Sequence, residues 1–169
     1  MGIVLLAVFY FFLLRDVTAA PRQNTAPGRV ITVHDGDTLS VVIGRKKETV
    51  RLTGIDAPEF GQRPWGANAK RHLRELISLS GNSVILEFDV QKRDKHGRLL
   101  AYVWTTGNKL INLEMVRNGY AVLYTFPPNV KYVDFFRDAQ RHAGEKGLGI
   151  WGRNGLRELP QDYRREHPR

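Results

Sequence analysis

Two short acidic segments hold the residues best suited to chemistry: Asp35-Gly36-Asp37-Thr38 and Asp56-Ala57-Pro58-Glu59. Carboxylates gathered beside backbone carbonyls are what a hard divalent cation such as Ca²⁺ takes, because it prefers oxygen donors and tolerates irregular geometry. Read singly, Asp-Gly-Asp is an ordinary turn, since Asp tolerates left-handed backbone and bonds its own main chain. The chain has no Asp-x-Asp-x-Asp-Gly run, which excludes an EF-hand loop. Arg51 precedes the second segment, and Arg98 follows the turn Asp94-Lys95-His96-Gly97. Two guanidiniums can clamp a phosphate through planar forks, a task that suits Arg better than Lys. Read singly, each is a surface arginine.

Strand ends and turns must position these groups. Residues 29–34, 38–43 and 48–55 are rich in Val, Ile, Thr and Leu and are punctuated by Asp35-Gly36-Asp37 and Gly44-Arg45-Lys46, which predicts a three-stranded meander. Alternation over 84–90 predicts a fourth strand, and 99–104 a fifth. On a regular third strand, period-two alternation points Arg51 and the Asp56 end towards one side. Apolar residues at helical spacing predict helices over 67–79, 110–118 and 130–146, the second stopped by Gly119. The order is α+β, and five short strands with three helices suggest an OB-fold β-barrel, an architecture that often binds oligonucleotides.

With 169 residues, 42% hydrophobic residues and a net charge of +9, the chain reads as one globular domain whose partner is an anion. Residues 29–151 alone hold 19 basic and 13 acidic side chains, so the excess lies on the domain itself. Nucleic acid or an anionic membrane therefore ranks ahead of a neutral small molecule. The absence of cysteine excludes disulfides, thiolate nucleophiles and Cys-ligated zinc. The apolar run 3–14 covers only about 18 Å of the ~30 Å hydrocarbon core. Compact residues Val17-Thr18-Ala19 precede Ala20, so 1–19 reads as a signal peptide or, as the rival, an N-terminal membrane anchor. Either reading makes the protein exported: secreted, periplasmic or held at the membrane. Residues 20–28 are expected to be a linker, and 152–169 a polar, basic, loosely packed tail.

The segments His34-Asp35-Gly36-Asp37-Thr38, Arg51-Leu52-Thr53-Gly54-Ile55-Asp56-Ala57-Pro58-Glu59 and Asp94-Lys95-His96-Gly97-Arg98-Leu99-Leu100-Ala101-Tyr102-Val103, in that order and at those intervals, closely resemble the staphylococcal nuclease (thermonuclease) family. The resemblance extends over about residues 29–151. It implies an OB-fold, Ca²⁺-dependent phosphodiesterase that acts on DNA and RNA and leaves 3′-phosphates. It further implies Asp37 and Asp56 as carboxylate ligands to calcium, with the Ala57 carbonyl beside them and Asp35 supporting the metal site from behind. Glu59 would orient or deprotonate the attacking water, and Arg51 and Arg98 would hold the scissile phosphate. Lys95 matches a position that contacts a nucleotide phosphate, and Tyr124 a tyrosine beside the bound nucleotide. The chain departs from the pattern at His96 and at Phe126, each standing where the family has a tyrosine. Phe126 can still stack on a base, which needs only a π-face.

The leading expectation is an exported, metal-dependent nuclease, acting as a monomer on DNA and RNA. The alternative is a nucleic-acid-binding OB module without cleavage, against which the occupied positions Asp37, Arg51, Asp56, Glu59 and Arg98 argue. A third reading attaches the basic tail, through Arg153, Arg157, Arg164, Arg165 and Arg169, to an anionic surface; its net charge of only +2 supports this weakly.

Overall fold

A computed structural model describes residues 22–168, so the apolar run 3–14 and the position before Ala20 lie outside the described residues. β1 (Thr25–Val33), β2 (Thr38–Ile43) and β3 (Lys46–Leu52) form the antiparallel meander that the turn residues predict. β4 (Ile55–Asp56) and α1 (Trp65–Ser78) follow, then β5 (Ser83–Glu87) and β6 (Leu99–Thr105). The strands close into a barrel in the order β1-β2-β3-β6-β5, with β3 and β6 parallel and the other pairs antiparallel. The fold is the five-stranded α+β barrel that the strand count suggests.

β1 begins inside the stretch expected to be a linker: Pro27 lies opposite Ile85 and Gly28 opposite Val84. The barrel can close only if β5 finds a partner, and residues 25–29 provide it despite their turn-like composition. The expected single strand over 48–55 is instead two. Gly54, at φ +82°, breaks the run, and the Phe136 ring packs 2.5 Å from where a Cβ would stand. Beyond that break, β4 leaves the barrel and pairs with β7 (Val122–Leu123).

The three expected helices are present, the second and third as α2 (Ile111–Arg117) and α3 (Val133–Glu145). α1 buries Ala69, Leu73 and Ile77; α3 buries Phe136, Ala139 and Ala143. Each fully buried Leu, Ile or Phe contributes about 1.5–3 kcal/mol of transfer free energy, so these stripes fix the helices to the barrel. Buried Asn112 ties α2 to β6 and to the end of β3, accepting from the Val103 N–H at 2.8 Å and donating to the Thr53 carbonyl at 2.8 Å. A fourth helix, α4 (Pro160–Glu166), lies in the tail expected to be loose. Its sequence carries ordinary helix signals: Pro at the start, Asp162 in the first turn, Arg164 and Arg165 in the last. Among the described residues no helix is long and apolar enough to cross a membrane.

Candidate active site

The turn between β1 and β2 is locked by its own residues. The Asp35 carboxylate accepts from the Asp37 N–H at 3.0 Å, and the Asp37 carbonyl accepts from the Leu52 N–H at 2.8 Å. Gly36 permits the close approach that follows: a Cβ there would stand 2.5 Å from the Ala57 Cβ. The turn thus meets the loop after β4, and Asp37 Oδ2 accepts from the Ala57 N–H at 2.8 Å. Burial pushes the Asp37 carboxyl up to about 7, Arg51 opposing the shift and Asp35 and Asp56 adding to it.

Arg51 draws the two acidic segments together. Its Nη2 lies 3.1 Å from Asp37 Oδ2 and 3.0 Å from Asp56 Oδ1, while Nη1 donates to the Leu52 and Ile55 carbonyls at 2.7 and 2.9 Å. One guanidinium therefore pins the β3–β4 break and both carboxylates. The Asp56 side chain is 1% exposed, a carboxylate held in the interior only because charged donors meet it.

Glu59 stands on the loop into α1, where Gln62 bonds it through both main-chain groups: the Glu59 N–H donates to Gln62 Oε1 at 3.0 Å and its carbonyl accepts from the Gln62 N–H at 2.9 Å. From the far end of the chain, Arg164 on α4 reaches the same place. It donates to Asp56 Oδ1 and Oδ2 at 3.0 and 2.8 Å and to Glu59 Oε1 at 2.8 Å. These bonds, the pair to Asp56 above all, hold the guanidinium well above its ordinary pKa.

Arg98 stands across the cleft, at the turn before β6, with its Nε 2.7 Å from Asp94 Oδ2. Asp94 in turn accepts from the His96 and Arg98 N–H groups, which shapes the turn. An open cleft of about 1210 Å³ unites these groups; Asp35, Asp37, Arg51, Asp56, Glu59 and Arg98 all line it, as do Lys95, His96, Tyr124 and Phe126. Tyr124 is fixed by its N–H to the Gly54 carbonyl at 3.0 Å, and Phe126 is 63% exposed at the rim. Every residue singled out from the sequence for catalysis, metal binding or nucleotide contact therefore borders one cleft.

The donors that the two acidic segments bring to that cleft are all oxygen. Asp37 and Asp56 both lie about 3 Å from one Arg51 nitrogen, and the Ala57 backbone adjoins Asp37. Two carboxylates, a main-chain carbonyl and room for water suit a hard cation such as Ca²⁺. Among the described residues no three His, Cys, Asp or Glu side chains gather closely enough to hold a metal by themselves. The carboxylates here are interleaved with guanidiniums instead of with each other.

A family model described as "Staphylococcal nuclease homologue" matches residues 49–153. The chain belongs to the staphylococcal nuclease family. It is 39% identical over 128 residues to an endonuclease, YncB, of Bacillus subtilis, and 38% identical over 128 residues to the prophage-derived endonuclease YokF of the same organism. Each match takes in 72% of this chain, but only 59% and 42% of the two endonucleases. It is also 37% identical over 126 residues to the thermonuclease of Staphylococcus intermedius, across 72% of this chain and 73% of that protein.

In this member of the staphylococcal nuclease family, two site residues escape a reading of the sequence. Gln62 is a buried polar residue between Glu59 and the C-terminal segment, its Nε2 donating to the Glu158 carbonyl at 3.0 Å. Arg164 lies beyond the residues that the family model matches. The helix signals of 160–166 were legible, but nothing local links them to an aspartate 108 residues away.

Proposed function

We propose that this protein is an exported, calcium-dependent phosphodiesterase that hydrolyses DNA and RNA to 3′-phosphate products. One observation carries the reading: Asp37, Asp56 and Glu59 meet Arg51 and Arg98 at a single open cleft in a basic protein. In this reading the Asp37 and Asp56 carboxylates and the Ala57 carbonyl hold the cation, and Asp35 keeps the Asp37 turn in shape. The cation, when bound, supplies Lewis-acid stabilisation of charge on the phosphoryl oxygens. Glu59 takes a proton from the attacking water as its oxygen bonds to phosphorus. The bond from phosphorus to the 5′-oxygen breaks, and that oxygen takes a proton from solvent. Negative charge grows on the five-coordinate phosphorus centre, where the guanidiniums of Arg98 and Arg51 oppose it. Arg51 serves first as the clamp on both carboxylates, since its Nη amines already meet four oxygens. Lys95 and Tyr124 contact the nucleotide beside the scissile bond. Export rests on the apolar run 3–14 and the compact residues before Ala20.

The test is digestion of single-stranded DNA, double-stranded DNA and RNA by the full-length protein, with Ca²⁺ or a chelator, beside Glu59→Ala. The reading expects cleavage that stops in chelator and falls by about 10² to 10⁴ in the variant. DNA that shifts in a gel uncut under every metal tried would replace this reading with a binding module. Fractionation with N-terminal sequencing tests export: Ala20 at the start of the exported protein marks a cleaved signal, Met1 an anchor, and retention in the cytoplasm overturns export.

A further inference from the structure

The C-terminal segment is laid across the catalytic loop by several separate contacts. The Trp65 indole donates to the Asn154 carbonyl at 3.2 Å, and Gln62 donates to the Glu158 carbonyl at 3.0 Å. Tyr163 packs so closely on Gly61 that a Cβ there would fall 2.0 Å from its hydroxyl oxygen. These contacts deliver Arg164 to the Asp56 carboxylate as a two-pronged fork, the geometry in which a guanidinium binds a carboxylate best. The third bond, to Glu59, places the same side chain on the residue proposed to activate water.

The helix that carries Arg164 is nevertheless lightly held. α4 has seven residues and buries only Pro160, and a helix that short has little stability of its own. The Arg164 side chain is 41% exposed. Its grip on the site therefore depends on the carboxylates that it meets.

Charge balance states what could replace it. Asp37, Asp56 and Glu59, when ionised, carry three negative charges, of which Arg51 offsets one. Arg164 offsets one more, whereas a divalent cation in its place would offset two. The two compete for Asp56, because the fork engages both carboxylate oxygens, Arg51 already shares Oδ1, and cations brought to one carboxylate repel each other.

We propose that Arg164 is a built-in competitor for the divalent cation, so that metal binds Asp56 only when α4 withdraws and the C-terminal segment sets the metal concentration that the enzyme requires. The proposal rests on the metal reading given above. It makes Arg164 a determinant of cation affinity, outside the residues matched by the family model.

The experiment is calorimetric titration of the full-length protein with Ca²⁺ alone, without nucleic acid. If the withdrawn state is about a tenth of the population, Arg164→Gln tightens the Ca²⁺ Kd by about tenfold. Arg165→Gln, an exposed neighbour paired with Asp162, leaves the Kd unchanged. Equal Kd values for wild type and Arg164→Gln overturn the competition and leave the metal site standing. Absence of Ca²⁺ binding in both overturns the metal site and the competition together. Hydrogen exchange on the unmodified protein supplies a measurement independent of any variant. Ca²⁺ should speed exchange of the amides of 161–166; slower or unchanged exchange overturns the proposal.

Discussion

Two carboxylates in this protein are equally buried and are held in opposite ways. The Glu87 and Asp56 side chains are 0% and 1% exposed. Glu87, on β5, accepts from the Trp104 indole at 2.8 Å and the Tyr132 hydroxyl at 2.9 Å, with the Lys131 amine completing the set. Its partners stand on the adjacent strand and at the start of α3, and the Trp104 and Tyr132 rings pack edge to face around it. Asp56 is met by guanidiniums only on its charged side, one from β3 and one from a short helix at the end of the chain. Glu87 takes two of its donors from rings in the core, beside the half-exposed Lys131 amine, and does not line the cleft, so its charge serves the fold. The Asp56 cluster opens on a cleft, where one cation can be exchanged for another. Burial alone does not separate a structural charge from a functional one; whether the charge borders an open cleft does.

The sharpest way to break this comparison is Glu87→Ala. It leaves the indole, phenol and amine without their acceptor, and removing one member of a buried charged cluster costs about 3–5 kcal/mol. Urea unfolding should show that loss, while cleavage per folded molecule stays at the wild-type level. An unchanged unfolding midpoint would remove the distinction between the two clusters. Arg98→Ala tests the other side. It should lower kcat by about 10² to 10³, as for other groups that oppose developing charge, with a change in stability within about ±0.5 kcal/mol. A variant that loses stability but cleaves normally per folded molecule would assign Arg98 to the fold.

The smallest effect belongs to an ion pair on the outer barrel. Hydrogen bonds from Arg93 and then Lys46 lower the Glu48 carboxyl to about 2. A depressed carboxylate stabilises the fold fully above its unfolded pKa near 4.5, and that stabilisation drains away as pH falls towards 2. Glu48→Gln should therefore cost slightly at pH 7 and flatten the acid limb of the stability profile, read by urea unfolding from pH 7 to 3. An acid limb as steep as that of the wild type would assign the loss to other carboxylates.

Much of the site is written in local chemistry. Asp35-Gly36-Asp37 makes its turn because an Asp side chain bonds the backbone two residues on, and this is the bond found. Helix stripes such as Leu73 and Ile77, or Phe136 and Ala139, follow directly from apolar spacing. The errors have physical causes. Pro27 and Gly28 look like a linker until barrel closure demands a partner for β5. The run over 48–55 looks like one strand because its apolar residues hide the left-handed Gly54. The tail looks loose because about two helical turns with few apolar residues predict little packing, yet Gln62, Tyr163 and Arg164 hold it against the cleft.

The sequence by itself determined the turns, the strand and helix periods, the family, and which residue types could hold a cation or a phosphate. These depend on neighbours a few positions apart, where backbone geometry leaves few choices. Only the tertiary structure decided that Arg51 spends its Nη amines on Asp37, Asp56 and two carbonyls, and that Arg164 returns across 108 residues to share Asp56. Such pairings follow from where barrel closure and the last turns of chain bring charges together, and no local preference of the residues encodes that distance.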